Sequence, residues 1–165
     1  MRKYLVAALC ALAIVQASAQ DLKIRDVFKQ VPDSLMPYLS QNNRLDFIDF
    51  MDSNMKAEVR NQLGGMSEMT ALADDSLSIR MSDALQVDML LLRLDQPVDT
   101  IQQVVVFSQT FLVDSVYQDK KVVFYTPDWQ QITKEIPWNE MQRQRICGSE
   151  LKNILKWSDD KLNKS

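Results

Sequence analysis

Histidine is absent from the 165 residues of this chain, and cysteine and glycine are scarce, at two and three residues. Without histidine the chain cannot form a Ser-His-Asp or Cys-His nucleophile, a histidine general base or a histidine-liganded zinc site. Three glycines, of which Gly64 and Gly65 are adjacent, do not match the spacing of dinucleotide-binding or P-loop motifs. The composition therefore predicts no cofactor and no metal, and it leaves binding functions and carboxylate chemistry.

The first 19 residues have the features of a secretory signal peptide. Two basic residues precede an apolar run from Leu5 to Val15, which is too short to span a membrane, and Ala17-Ser18-Ala19 forms a cleavage site before Gln20. A lipoprotein signal would need a cysteine at the end of the apolar run, whereas Cys10 lies in its middle. We expect an exported protein, periplasmic or secreted, with no integral membrane segment after cleavage and a single domain over residues 20–165.

The charge of the mature chain disfavours a nucleic-acid partner. Cleavage removes Arg2 and Lys3, which lowers the basic residues from 19 to 17 against 22 acidic ones and gives a net charge of −5. Such a chain lacks the basic excess that neutralises phosphates. Cys147 is then the one cysteine left, and it is either a small packed residue or a reactive or intermolecular thiol.

Apolar residues recur at three- and four-residue spacing in the N-terminal part of the mature chain, which predicts helices. One helix is expected over residues 21–31. A second is expected over residues 44–63, either unbroken or split at Asp52-Ser53-Asn54, which are poor helix formers. We interpret Gly64 and Gly65 as the joint between helices and sheet, with Gly64 in a left-handed conformation.

After the glycines the apolar spacing changes to two, as is typical of strands. Residues 76–82 alternate most regularly and predict a strand with one wet face, whereas Leu90, Leu91 and Leu92 predict a strand covered on both sides near one end. The predicted strands cover residues 67–73, 76–82, 86–94, 100–107, 110–117 and 121–126, with a weaker pattern over 130–136.

These elements together predict an α+β fold. The connections between the strands are short, which favours a largely antiparallel meander of about six strands with the N-terminal helices packed on it. A C-terminal helix is expected from Ser149, with Leu151, Ile154 and Leu155 on its apolar side.

Aromatic residues concentrate in the last strands and the turn that follows them. If exposed, Tyr117, Tyr125 and Trp129 would form a platform for a protein or glycan, with Asp128 beside them; if buried, they would be packing residues, which is the commoner use. We predict these four as candidate binding residues.

Two other functions remain open from the residues alone. A cleft lined by Met89, Leu90, Leu92 and Val106 would suit a periplasmic carrier of a lipid or another apolar ligand. A glycoside hydrolase would need two carboxyl groups roughly 5 to 9.5 Å apart, and nothing in the sequence pairs its acids in this way.

Several motifs in order along the mature chain are similar to those of a known family. They are Asp26-Val-Phe, Met36-Pro, Asn42-x-x-Leu-Asp-Phe-Ile-Asp-Phe, Lys56-Ala-Glu-Val, Gly64-Gly, Ser67-Glu-Met-Thr, Asp74-Asp and Phe124-Tyr-Thr-Pro-Asp-Trp129. Through them the chain resembles a family of secreted Bacteroidales proteins with a domain of unknown function. The resemblance implies export from a Gram-negative bacterium and implies no catalytic residues.

Our leading hypothesis from the sequence is a non-enzymatic exported protein that binds a protein, a glycan or another envelope component. The carrier of an apolar ligand is the alternative, and the carboxylate-dependent glycoside hydrolase is third.

We predict that the exported protein begins at Gln20. Replacing both Ala17 and Ala19 by leucine should block cleavage, because the signal peptidase requires small residues at these two positions, whereas Ser18→Leu between them should be cleaved normally. Intact-mass measurement of the protein exported from a Gram-negative host checks this, and equal masses for the two variants would refute the assigned site.

Overall fold

The computed structural model describes residues 22–114 and 116–147, apart from the side chains of residues 117, 118 and 147. Its elements in chain order are α1 (Ile24–Lys29), α2 (Gln41–Asp52), β1 (Glu58–Arg60), β2 (Met66–Leu72), β3 (Ser76–Ser82), β4 (Leu85–Val98), β5 (Ile101–Val113), β6 (Val116–Tyr125) and α3 (Glu140–Cys147). These strands form one antiparallel sheet in the order β1-β2-β3-β4-β5-β6. The predicted α+β meander with N-terminal helices and a C-terminal helix is confirmed.

One face of the sheet, called here the helix face, carries the main core. The described strands bring alternate apolar side chains to this face, where α1 and α2 cover them. The buried residues of this core include Ile24, Val27, Phe28, Phe47, Ile48, Met69, Leu77, Ile79, Met81, Val87, Met89, Leu91, Val105 and Phe107. Burial of each large side chain stabilises the fold by about 1.5–3 kcal/mol before conformational entropy is subtracted.

The opposite face, called here the open face, is covered by the described chain at one end. There the segment after β6 packs on the sheet and forms two smaller apolar clusters. Their buried members are Leu92, Leu94, Val104, Val106, Ile132, Ile136 and Ile146. The prediction that the Leu90–Leu92 stretch is covered on both sides near one end is therefore confirmed.

The predicted second helix is too long. The helix α2 ends at Asp52, and Asn54 then adopts a left-handed backbone with φ of 53°. The split at residues 52–54 was one of the two expected forms, but the piece that follows is the strand β1 rather than a helix. The apolar residues that suggested a helix beyond residue 54 do not form a buried side. Val59 is buried, whereas Met55 and Leu63 are 58% and 73% exposed.

Gly64 and Gly65 join two strands, and the prediction that they join helix to sheet is wrong. The expected left-handed conformation is present, since φ of Gly64 is 84°. The buried side chain of Asn61 holds the turn, because its Oδ1 accepts from the backbone N–H groups of Leu63 and Gly65 at 3.0 and 3.1 Å. Short β1 is thereby folded back onto β2.

The long strands β5 and β6 were predicted as three pieces. β5 runs unbroken through Ser108 and Gln109, and the expected turn at residues 118–120 lies within β6. The observed turn between β5 and β6 contains Asp114, whose φ is 51°. Ser108 and Gln109 pair with Asp88 and Val87 of β4 and with Val122 and Lys121 of β6, and this pairing on both sides overrides the local polar pattern that suggested a break.

The helix α3 is built on a reciprocal cap. Asn139 Oδ1 accepts from the backbone N–H of Gln142 at 2.7 Å, and Gln142 Oε1 accepts from that of Asn139 at 2.9 Å. Gln142 Nε2 also donates to the carbonyl oxygen of Arg93 at 2.8 Å, which attaches the helix to β4. The helix predicted from Ser149 lies outside the described residues, and residues 130–136 form a single bridge to the sheet, at Gln131, instead of a strand.

In the described part of the chain, each helix is too short or too polar to cross a membrane.

We predict that Gly64→Val lowers the free energy of unfolding by about 1 kcal/mol, because a branched side chain disfavours positive φ. The nearest atom to an added Cβ is 3.9 Å away, at the Arg60 guanidinium, so the loss would report the backbone conformation and not a clash. The control is Gln62→Val at an exposed position of the same turn. Urea unfolding measures both, and equal midpoints would argue against a conformational requirement at Gly64.

Candidate functional site

Two of the four predicted binding residues, Tyr125 and Trp129, lie in the core. Each is 8% exposed, and both rings meet Phe107 edge-on with centroids 6.2 Å apart. Trp129 Nε1 donates to the carbonyl oxygen of Val27 at 3.1 Å, which ties the turn after β6 to α1. Burial also raises the pKa of the Tyr125 hydroxyl. Packing, the commoner of the two expected uses, accounts for both side chains.

The other two predicted residues do not add an aromatic surface. Asp128 is exposed and accepts from Thr126 Oγ1 at 2.5 Å, within a turn in which Trp129 has φ of 66°. The side chain of Tyr117 lies outside the described part of the structure. A binding role for the four residues stays a prediction, and the two buried rings offer no exposed platform for it.

A groove with a volume of about 410 Å³ lies on the open face of the sheet, where β3, β4, β5 and β6 pass beside the end of α3. We call it the open-face groove. It is lined by Ser76, Leu77, Ser78, Asp88, Met89, Leu90, Val106, Ser108, Lys120, Arg145 and Ile146.

Strand register gives the groove a polar row. Ser78 pairs with Asp88, and Asp88 pairs with Ser108, so three polar side chains follow one another across β3, β4 and β5. Ser78 Oγ donates to Asp88 Oδ1 at 2.5 Å, and Gln86 Nε2 donates to the same oxygen at 3.0 Å. The carboxylate of Asp88 is thereby oriented by two donors, and among the described residues no lysine or arginine forms an ion pair with it.

Two cationic side chains border the groove. Lys120 of β6 pairs with Thr110 of β5 and lines one side of the groove. Arg145 of α3 lies at the other end and donates to Asp75 Oδ2 at 2.7 Å. On the far side of this ion pair is a second hollow of about 370 Å³, where Lys23 is 3.0 Å from Asp74.

Next to the polar row, the floor of the groove is apolar. Leu90 of β4 pairs with Ser76 of β3 and with Val106 of β5, and Ile146 packs from above. Phe124 of β6 pairs with Val106 and packs on the same apolar cluster, but it is not among the lining residues. Three of the residues expected to line a carrier cleft, Leu90, Leu92 and Val106, belong to this face. Met89 is also among the lining residues, but its side chain is buried on the helix face, because the side chains of neighbouring strand residues point in opposite directions.

The lining of the groove suits hydrogen bonding to a polar ligand. It offers hydroxyl groups, one oriented carboxylate and two cations beside an apolar floor. Asp88 is the one carboxylate among the lining residues, so the described groove does not present the acid pair of a glycoside hydrolase. The described residues also hold no group of three acidic or thiol side chains placed to bind a metal ion.

The sequence contained part of the signal for this site. The alternation of serine and arginine along residues 76–82 predicted a wet face for β3, which is confirmed. Asp88 and Ser108 were missed because their pairing with Ser78 depends on register between strands, which alternation within one strand does not specify.

Comparison with known proteins places the chain among proteins without an assigned function. The model of the DUF3256 family, described as a protein of unknown function, matches residues 14–160. A structure of a domain of an uncharacterized protein from Porphyromonas gingivalis W83, a Bacteroidales species, is similar in fold, with a TM-score of 0.54 and 19% identity, over 81% of this chain and 68% of that one. No curated protein matches the chain.

We predict that Trp129→Phe destabilises the protein by about 1 kcal/mol more than Trp138→Phe, because it removes the buried indole donor to the carbonyl oxygen of Val27, which then keeps only the backbone N–H of Gln30 at 3.1 Å. Trp138 is a suitable control, since its ring packs on Phe124 at a centroid distance of 5.3 Å and no hydrogen bond of its indole N–H is present among the described residues. Thermal unfolding followed by circular dichroism measures the difference. An equal loss in both variants would show that ring size, not the hydrogen bond, matters at Trp129.

Proposed function

We propose that this chain is a non-enzymatic exported binding module that holds a polar segment of a protein partner in its open-face groove. The chain belongs to the DUF3256 family of proteins of unknown function. Export is supported by the signal-type sequence of residues 1–19. The observation that carries the binding role is the Asp88 carboxylate in the open-face groove, which two donors orient and which forms no ion pair among the described residues.

A protein partner fits this lining better than a glycan does. Sugar recognition commonly stacks a ring on an aromatic side chain, and the described residues that line the groove include no aromatic one. Peptide groups and cationic side chains instead match a row of hydroxyl groups that ends at a carboxylate. The apolar floor at Leu90 and Val106 would hold an adjacent apolar side chain of the same partner.

The arrangement supports binding more than catalysis. Asp88 is held by Ser78 and Gln86, and the acids of the neighbouring hollow are engaged by cations, Asp74 with Lys23 and Asp75 with Arg145. Glycoside hydrolysis needs a second free carboxyl group facing the first, and the carboxylates of the neighbouring hollow are engaged in these ion pairs.

We predict that a photoreactive residue in place of Lys120, at the rim of the groove, forms an adduct with one partner protein in cells that produce the chain, and that the same residue at Asp46, on the exposed side of α2, does not. The purified partner should then bind Asp88→Asn about tenfold or more weakly than the unmodified protein, because a charge-assisted contact is lost. Isothermal titration calorimetry measures this affinity.

The matched control for the affinity measurement is Asp83→Asn, which changes an acid in the turn between β3 and β4, outside the lining of the groove. Equal affinities for the two variants would place the partner elsewhere. Turnover of glycans, esters or peptides by the pure protein, abolished by Asp88→Asn, would overturn the non-enzymatic role.

A further inference from the structure

β6 lies at one end of the sheet, and the described chain pairs with its outer edge over a few residues. On the inner side the strand pairs with β5. On the outer side there is one bridge, between Tyr125 and Gln131, and the backbone N–H of Ile132 donates to the carbonyl oxygen of Phe124 at 2.9 Å. The chain then leaves the edge, since Ile136 packs on the open face. The outer edge of β6 before Phe124 therefore has no backbone partner among the described residues.

The direction of the backbone groups along this edge follows from that hydrogen bond. In an antiparallel ladder the N–H and C=O groups of one residue point to the same side, and successive residues alternate. Because the carbonyl group of Phe124 points outward, the backbone groups of Val122 and Lys120 point outward too, since the register with β5 is regular over this stretch. Asp119 Oδ1 accepts from the backbone N–H of Lys120 at 2.8 Å, which agrees with this direction. Lys120 and Val122 thus present outward ladder groups that no described strand pairs with.

Two lysines lie in the middle of this edge, one on each face of the sheet. Lys120 lines the open-face groove, so Lys121 points to the helix face, where it is exposed. Neither lysine forms an ion pair among the described residues, and Asp119 in the same strand directs its carboxylate at the backbone. Val122 and Val123 follow and are partly buried. The edge therefore favours an extended segment with two consecutive carboxylates, one for each lysine, next to β-branched residues.

We propose that the outer edge of β6 over residues 119–123 accepts an extended acidic segment of another protein as a further strand of the sheet. The backbone of the segment pairs with the outward groups of Lys120 and Val122, which provides affinity, and two consecutive carboxylates contact Lys120 and Lys121, which provides selectivity. Asp88 lies on β4, two strands away from this edge, so the inference goes beyond the proposed contact in the groove and does not rest on it.

The charges of the edge argue against a second copy of the chain as the occupant. When two copies of a strand pair antiparallel about a twofold axis, one residue lies opposite itself. Any centre within residues 119–121 then places like charges opposite each other, which is destabilising. A centre at Val122 would bring the second copy against residues 130–132, and a centre at Gln118 would fall on the shift of register in β6. An acidic segment of another protein meets none of these obstacles.

Amide NMR of the full mature chain tests the proposal with a synthetic probe, the peptide Thr-Val-Glu-Glu-Val-Thr blocked at both ends. Without peptide, we expect the outward N–H of Val122 to exchange rapidly with solvent and those of Lys121 and Val123, which face β5, to exchange slowly. At millimolar peptide the amide signal of Val122 should shift, and its exchange should slow about tenfold or more as the new ladder forms. The amide signals of Ser78 and Asp88 should stay in place, so the edge and the groove are read separately.

Two variants separate the backbone from the charges. Val122→Pro replaces the outward N–H by a ring, which an edge strand tolerates, and should weaken peptide binding about tenfold or more. Val122→Thr is the matched control, because it keeps the N–H and the branched shape, and it should bind as the unmodified protein does. Lys120→Glu combined with Lys121→Glu should reverse the preference, so that the peptide Thr-Val-Lys-Lys-Val-Thr binds better than the acidic one. This gain of binding would also show that the variant is folded.

Any of three results would overturn the inference. Slow exchange of Val122 without peptide would show that the edge is already covered, either by the chain itself or by a second copy. Equal binding of the acidic and the basic peptide by the unmodified protein would remove the selectivity. No shift of Val122 with the acidic peptide, or a shift of Ser78 and Asp88 in its place, would leave the edge without an acidic partner.

Discussion

The structure depends on the burial of β4 and β5 on both faces over part of their length. Met89 and Leu91 of β4 lie under the N-terminal helices, while Leu92 and Leu94 lie under the segment that follows β6. A strand buried on both faces has no polar side and can be accommodated only between two layers. The placement of α1, α2 and α3 follows from this requirement.

The same two strands also carry the candidate site, because their two-sided burial is incomplete. Along the open face, β4 passes from Leu92 through the partly buried Leu90 to Asp88, and β5 passes from Val106 to Ser108. Hydroxyl and carboxylate groups begin where the apolar cover ends. The groove therefore lies where the apolar residues of the open face give way to hydroxyl and carboxylate groups, and a ligand there can be held by hydrogen bonds on one side and apolar contact on the other.

The differences from the predicted elements have a common physical origin. β1 has three residues and is a strand because β2 pairs with it, and local patterning assigned it to a helix. Trp129 follows a proline and an aspartate and has the local features of an exposed turn, yet a hydrogen bond to Val27, far away in the chain, buries it. In both cases a partner distant in sequence decided the outcome, and long-range pairing overrides local propensity.

The sequence by itself determined that helices precede strands, that the strands form a meander, that the strand through Leu90–Leu92 is covered on both sides near one end and that histidine-dependent chemistry is excluded. These conclusions follow from periodicity and composition, which are local properties. Only the tertiary structure decided that Ser78, Asp88 and Ser108 form one row and that Tyr125 and Trp129 are core residues. Register and side-chain burial depend on which strands meet and how far each is shifted, and a shift of one residue would turn Asp88 to the helix face.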